Sequence, residues 1–259
     1  MSGPTSGHRV SLALDAPFAH ITLANPPLNV IDIPMMEELA TAFGAIESQP
    51  EISTIVIRGR GKCFSAGVDV AAHTPGLVSD MLEKFHAVVR AGVSSKKITV
   101  AVVHGHCLGG GAELAMVCDL VYSTNDALWG FPEIQLGCYP PVAVTALASL
   151  VSPKRAAELI LTGKTISGTE AAAIGLATVS VHENELDTIV GECLDRIRVL
   201  SPAALVLTKK AVYVWDAMHF DKGLARAEKI YLEELMKTED AQEGIRAFLE
   251  KRQPQWKNR

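Results

Sequence analysis

Apolar, β-branched stretches alternate with amphipathic helical patterns up to about residue 142, and this alternation limits the possible fold more than any other feature. Continuous apolar runs over Ile52 to Arg58 and Ile98 to Val103 are typical of strands that are covered on both faces. Apolar residues three and four positions apart over Ile33 to Glu47 and Asp80 to Gly92 predict helices. Strands that alternate with helices predict an α/β fold.

Beyond Val142 the pattern changes to consecutive helices. Ser201 and Pro202 are a good helix start, because serine caps a helix and proline suits its first position. We therefore expect a frayed start over residues 1–9, an α/β core over residues 10–200 and a helical C-terminal region over residues 201–259. The predicted helices are 143–150, 153–162, 168–174, 203–215, 222–236 and 240–251.

Charge and composition exclude several classes of protein. The 24 basic and 29 acidic side chains give a net charge of −5, which argues against a general nucleic-acid binder. No apolar run reaches the roughly 18 residues of a membrane span. The 5 cysteines are odd in number and widely spaced in the sequence, so we expect them to be reduced thiols. We expect a cytoplasmic protein that binds neither nucleic acid nor membrane.

A glycine triplet, Gly109 to Gly111, lies between a predicted strand and a predicted helix. Glycine lets a ligand approach the main chain closely, so free N–H groups there can hold a phosphate or a developing oxyanion. The spacing is neither a dinucleotide fingerprint nor a phosphate loop. Tight packing of a helix on a sheet explains the glycines equally well.

Two glutamates stand in apolar surroundings. Glu113 lies in the first turn of the predicted helix after the glycines, and Glu133 follows Phe131 and Pro132. Apolar surroundings raise a carboxyl pKa, so the two could divide acid and base work near neutral pH. Glu113 could instead only complement the helix dipole, and spacing alone does not show that the two side chains meet.

Other candidate sites are weaker. Asp69 ends a glycine-containing loop and is expected either to cap a helix or to line a site. His104 and His106 lack the carboxylate and histidine partners of a zinc site, so we expect no metal. Cys63 is expected to be structural rather than nucleophilic. The Gly-x-Ser-x-Gly motif of serine hydrolases is absent from the sequence.

Three segments together resemble the enoyl-CoA hydratase/isomerase (crotonase) family. They are Phe64-Ser-Ala-Gly-Val-Asp69, Gly109-Gly-Gly-Ala-Glu-Leu-Ala-Met-x-Cys-Asp119 and Phe131-Pro-Glu-Ile-x-Leu-Gly137. The resemblance implies a crotonase-like spiral of strand–strand–helix turns, a C-terminal helical trimerisation region and a homotrimer or homohexamer. It also implies an acyl-CoA substrate, with CoA as part of that substrate and no separate cofactor.

The resemblance assigns roles by motif position. Glu113 and Glu133 match the two glutamates that hold and activate water in the hydratases, and Val68 and Gly110 match the two N–H donors of the oxyanion hole. Ala66, Gly67, Asp69 and Gly109 are expected to line the thioester and pantetheine channel. Phe248 and Lys251 match positions that contact the adenine end of CoA.

One segment departs from the usual pattern. Short-chain hydratases continue after the second glutamate with a glycine-rich run, whereas this chain has Tyr139, Pro140 and Pro141, which we expect to shape an acyl pocket for a ring. The segment 26–32 and the C-terminal residues resemble cyclohexa-1,5-diene-1-carbonyl-CoA hydratases of anaerobic benzoate degradation. The alternatives are a generic short-chain enoyl-CoA hydratase, a double-bond isomerase, or a non-catalytic scaffold or RNA-binding relative.

Overall fold

The computed structural model describes residues 8–257, with the side chains of residues 214–218 excepted. Of the expected frayed start over residues 1–9, residues 1–7 lie outside the described residues, and the first strand begins at Val10. Among the described residues, no helix is both long and apolar enough to cross a membrane.

The strands form two sheets. They are β1 (Val10–Asp15), β2 (Phe18–Leu23), β3 (Thr54–Gly59), β4 (Ile98–Val103), β5 (His106–Leu108), β6 (Leu120–Thr124), β7 (Leu128–Gly130), β8 (Thr165–Ser167) and β9 (Val179–Val181). The larger sheet has the order β1-β2-β3-β4-β6-β9 and is parallel except for the β1–β2 hairpin, and the smaller sheet has the order β5-β7-β8. The chain passes from the larger to the smaller sheet twice, from β4 to β5 and from β6 to β7, as in a spiral. The α/β prediction is confirmed.

The helices surround these sheets. They are α1 (Ile33–Glu47), α2 (Val78–Ser94), α3 (Gly110–Met116), α4 (Pro141–Val151), α5 (Pro153–Thr162), α6 (Gly168–Ala173), α7 (Glu183–Arg198), α8 (Pro202–Glu233) and α9 (Glu239–Leu249). Short 3₁₀ turns follow β3, β7 and α8 at Val70–His73, Pro132–Leu136 and Leu235–Lys237.

The structure corrects one helix prediction and adds one helix that the sequence pattern does not predict. Residues 203–215 and 222–233 belong to one helix, α8, because the chain has no proline after Pro202 in this stretch and the single Gly223 costs only about 1 kcal/mol. The last predicted residues, 234–236, lie beyond its end. Helix α7 was not predicted. Its buried residues are only Leu186, Val190 and Ile197, which is too narrow an apolar stripe to stand out.

The larger sheet is covered on both faces, which explains its continuous apolar strands. Alternate residues of a strand point to opposite faces. Thus Ile55 and Ile57 of β3 join the main core with α1 and α2, whereas Val56 joins a second cluster with Leu186 and Val190 of α7. The main core also includes residues of α3 to α6, α8 and α9, so it lies on the face of the larger sheet that is opposite α7.

Candidate active site

One cavity collects most of the residues that the sequence motifs identify. It lies where the loop after β3, the start of α3 and the turn Pro132–Leu136 meet, with α2 and α8 also in its wall. The wall is mainly apolar, and the empty space up to the open mouth is about 610 Å³. The predicted site residues in this wall are Ala66, Gly67, Val68, Gly109, Gly110, Glu113, Glu133, Tyr139, Pro140 and Pro141.

Ser65 joins the two loops that carry the backbone N–H groups of the site. Its N–H donates to the carbonyl of His106, and its carbonyl accepts from the N–H of Leu108, both at 3.0 Å. Its buried hydroxyl donates to the carbonyl of Asn29 at 2.7 Å and accepts the N–H of Gly67 at 3.1 Å. The two main-chain hydrogen bonds hold the loop after β3 against β5, and the two side-chain hydrogen bonds order that loop and join it to Asn29.

The main chain at Gly67 and Val68 lies beside that at Gly110 as a result. A Cβ built on Gly67 would be 3.6 Å from the nitrogen of Gly110, and one built on Gly110 would be 2.5 Å from Cγ2 of Val68. In the described part of the chain, neither N–H has a hydrogen-bond acceptor. Two unpaired N–H donors at one point of a cavity can receive a developing negative charge on a substrate oxygen.

Glu113 is held by the start of another helix. It lies in the first turn of α3 and is 3% exposed. Its Oε1 accepts the N–H groups of Val142 at 2.8 Å and Ala143 at 3.0 Å, both in the first turn of α4. Burial raises the pKa of Glu113, and these two hydrogen bonds oppose that rise because they stabilise the carboxylate.

Glu133 lies opposite the glycine triplet, on the turn Pro132–Leu136. Its Oε2 is buried and has no hydrogen-bond partner among the described residues. Burial, and then the negative charge of Glu113, raise the pKa of Glu133. Because Glu113 accepts two N–H groups while Oε2 of Glu133 accepts none, a single proton shared by the pair is favoured on Glu133.

The pair can therefore act as a base and an acid in one cavity. A carboxylate on Glu113 can take a proton from water, and a carboxylic acid on Glu133 can give one to a reacting carbon. The two free N–H groups of Val68 and Gly110 supply a place for negative charge in the same cavity. This combination suits the addition of water to a double bond that is conjugated with a carbonyl group.

The segment Tyr139 to Pro141 forms part of the wall and also begins α4. Pro141 is the first residue of that helix, where the missing N–H of proline costs nothing. The Tyr139 hydroxyl donates to the carbonyl of Ala227 on α8 at 2.6 Å. The segment thus joins the cavity wall to α8 and positions the N–H groups that hold Glu113.

Three predicted binding residues lie outside the cavity wall. The Asp69 side chain caps the turn Val70–His73 by accepting the N–H of Ala71 at 3.0 Å. Of the two roles expected for Asp69, capping is therefore the one seen in the structure. Phe248 is 53% exposed near the end of α9, and Lys251 is an exposed residue just after that helix. Contact of Phe248 and Lys251 with CoA stays a prediction.

Sequence reasoning missed four residues of the site. Asn29 and Ser65 organise the loop that carries Val68, and His86 and Tyr231 lie in the cavity wall. His86 occupies a buried helical position, where a core histidine is the ordinary interpretation. Tyr231 lies far along the chain, so only the packing of α8 brings it to the site.

Comparison with known proteins agrees with this geometry. The family model described as "Enoyl-CoA hydratase/isomerase" matches residues 15–259. The chain belongs to the enoyl-CoA hydratase/isomerase family. A crystal structure of an enoyl-CoA hydratase from Mycobacterium avium subsp. paratuberculosis has 26% sequence identity and a TM-score of 0.87, covering 96% of this chain and 99% of that one. The crotonase-like fold is thereby confirmed.

Two curated relatives are hydratases by name. A cyclohexa-1,5-dienecarbonyl-CoA hydratase of Thauera aromatica is 34% identical and is aligned over 100% of both chains. A probable enoyl-CoA hydratase of Bacillus subtilis is also 34% identical, over 96% of this chain and 98% of its own. The protein is therefore an enoyl-CoA hydratase-type enzyme, a hydro-lyase that acts on acyl-CoA.

Proposed function

We propose that the protein adds water to cyclohexa-1,5-diene-1-carbonyl-CoA and forms 6-hydroxycyclohex-1-ene-1-carbonyl-CoA, a step of anaerobic aromatic degradation. The observation that carries the hydratase part is that one cavity holds the buried Glu113, the partly buried Glu133 and two N–H groups without an acceptor among the described residues. The cyclic substrate is supported by the full-length similarity to a hydratase of that name and by the Tyr139 to Pro141 wall.

The first step is attack by water on the carbon β to the thioester. Glu113 as a carboxylate removes a proton from the water, and the hydroxyl oxygen bonds to the β-carbon. The electrons of the double bond move to the carbonyl oxygen, which becomes an enolate. The α4 N–H groups that bind Glu113 keep its carboxylate in place for this attack.

The N–H groups of Val68 and Gly110 receive the enolate oxygen. Neither N–H group has to break a hydrogen bond before it can bind this oxygen, because neither donates to another of the described residues. Removal of one such donor in an enzyme typically costs about 3–4 kcal/mol of barrier. The two N–H groups belong to two loops that Ser65 links. The geometry of this oxyanion hole therefore depends on buried residues behind the cavity wall.

Protonation of carbon completes the reaction. Glu133, the more readily protonated glutamate, gives its proton to the enolate and becomes a carboxylate. In a cyclic diene the enolate extends over the second double bond, so the proton can be added at the far γ-carbon. Transfer of the proton from Glu113 to Glu133 restores the starting state.

The substrate supplies its own CoA, and the proposal includes no further cofactor. The homotrimer or homohexamer, the cytoplasmic location and the contacts of Phe248 and Lys251 with the adenine end of CoA stay predictions that the family resemblance implies.

Comparison of two substrates tests the proposal. We expect a clearly higher kcat/KM for cyclohexa-1,5-diene-1-carbonyl-CoA than for crotonyl-CoA on the same preparation. Apolar shape discriminates by only about 1–3 kcal/mol per methylene-sized difference, so weak turnover of crotonyl-CoA is expected. If crotonyl-CoA is hydrated as well or better, the cyclic substrate is wrong and a generic short-chain hydratase replaces it.

A further inference from the structure

Two residues of the cavity wall each carry a buried polar atom that has no nitrogen or oxygen partner among the described residues and no role in the reaction above. The atoms are Nε2 of His86 and the hydroxyl oxygen of Tyr231. The two side chains are 0% and 1% exposed. Buried polar atoms in proteins almost always have a protein, water or ligand partner, so two unpaired ones in a substrate cavity point to a polar group on the ligand.

The environment of His86 makes its Nε2 an acceptor. Its Nδ1 lies 2.6 Å from Oε1 of Glu228 on α8, and a carboxylate only accepts, so Nδ1 carries the proton. Arg90 donates to the same oxygen at 2.8 Å. Burial lowers the pKa of His86, which keeps the ring neutral. Nε2 therefore keeps its lone pair and needs a donor.

Tyr231 reaches the cavity from the same helix. It lies three residues after Glu228, so α8 supplies both the group that orients His86 and a second polar wall residue. Its ring packs edge-on against Tyr139, with centroids 5.2 Å apart, which fixes the position of the ring. The hydroxyl lies near the Cys138 thiol, only a weak acceptor, and has no nitrogen or oxygen partner within residues 8–257.

We propose that His86 and Tyr231 form a polar subsite of the acyl pocket that binds a hydroxyl group on the acyl part of the thioester. A hydroxyl group suits either residue, because it can donate to Nε2 of His86 and can accept from the Tyr231 O–H. A hydrocarbon acyl group leaves both atoms unpaired.

This subsite rests on the proposed acyl-CoA hydratase function. It further specifies the class of acyl group that the enzyme binds. That group carries a hydroxyl, either as a substituent or as the one that hydration introduces. On the proposed ring, the subsite favours the hydroxylated product over the diene.

Binding of unreactive thioesters tests the subsite without turnover. The probes are cyclohexanecarbonyl-CoA and its 2-, 3- and 4-hydroxy derivatives, each titrated against the full chain. At least one hydroxy derivative is expected to bind about threefold to tenfold more tightly than the parent, the gain of one net hydrogen bond. Tyr231→Phe and His86→Leu should each remove most of that gain and leave the affinity for the parent nearly unchanged.

Tyr122→Phe is the matched control, because Tyr122 packs in the second apolar cluster against α7, away from the cavity. It should keep the full gain. Equal binding of all four thioesters by the wild type would overturn the subsite, and so would an unchanged gain in both variants. If His86→Leu does not fold, the nearly isosteric Tyr231→Phe decides alone. A wild type that hydrates no unsaturated thioester would contradict the proposed function, whereas the binding comparison would still be valid.

Discussion

Oε1 of Glu133 lies 2.6 Å from the point that a Cβ on residue 109 would occupy, so Gly109 and Glu133 fit together only because residue 109 has no side chain. Gly109 also has a φ of +49°, a backbone conformation that other residues rarely adopt. The first glycine of the triplet is therefore required by the position of the Glu133 carboxyl group, as well as by its own backbone.

Gly109→Ala should displace the Glu133 carboxyl group by about 1 Å and lower kcat by about a hundredfold, because catalysis is that sensitive to misplacement. The measurement is the steady-state rate with an unsaturated acyl-CoA. Gly191→Ala is the control, since its Cβ would meet nothing within 4 Å. A Gly109→Ala enzyme as active as Gly191→Ala would show that Glu133 does not need its observed position.

Replacement of either glutamate by glutamine tests the division of acid and base work. Glu113→Gln and Glu133→Gln should each lose hydration activity by at least about a hundredfold, the lower end of general acid–base contributions. Circular dichroism should show an unchanged fold, because glutamine has nearly the same shape. The exposed Glu192→Gln on α7 should keep full activity. Activity within a few-fold of wild type in either site variant would remove that residue from the mechanism.

The same pair should destabilise the folded protein at high pH. The folded-state pKa of Glu133 is raised above its ordinary value of 4.5, so its contribution to stability is present at low pH and lost as pH rises through the raised pKa. Glu133→Gln removes this loss. Its free energy of unfolding should exceed that of the wild type at pH 9, by on the order of 1 kcal/mol or more, and should match it near pH 4.5. The measurement is a denaturation curve of each protein at both pH values. If the two free energies of unfolding differ by the same amount at pH 4.5 and pH 9, the raised pKa of Glu133 is contradicted.

The residues proposed to carry the chemistry are easier to find in the sequence than those that hold them in place. Glu113 and Glu133 are conspicuous because each carboxyl group has apolar neighbours in the sequence, and the glycine triplet indicates a close approach of the backbone. By contrast, Ser65 and Asn29 act through main-chain partners, and His86 meets Glu228 only across 142 positions of the chain. Such contacts are set by packing of distant elements, which local patterns do not encode.

The position of the C-terminal helices shows the same limit. The sequence predicts separate helices over residues 203–215 and 222–236, whereas α8 is continuous and is fixed in place by tertiary contacts. Lys209 of α8 pairs with Asp119 at 2.7 Å, and both side chains are largely buried. Further along the same helix, the carbonyl of Ala227 accepts the hydroxyl of Tyr139. These contacts carry Tyr231 to the cavity.

Lys251→Ala tests the predicted contact with CoA. If the Lys251 ammonium group binds the adenine end of CoA, its loss should raise KM severalfold and leave kcat nearly unchanged, since that contact is the same in the ground and transition states. The exposed Lys154→Ala on α5 should change neither constant. A lower kcat at unchanged KM would contradict the assignment.

Turnover of cyclohexa-1,5-diene-1-carbonyl-CoA and crotonyl-CoA in ¹⁸O-labelled water tests the central claim, hydration by the glutamate pair, most directly. The account predicts that mass spectrometry finds one ¹⁸O atom in each product hydroxyl, and that Glu113→Gln forms this product at least about a hundredfold more slowly. A product that has the mass of the substrate, carries no ¹⁸O and has a shifted double bond would contradict the account and identify an isomerase.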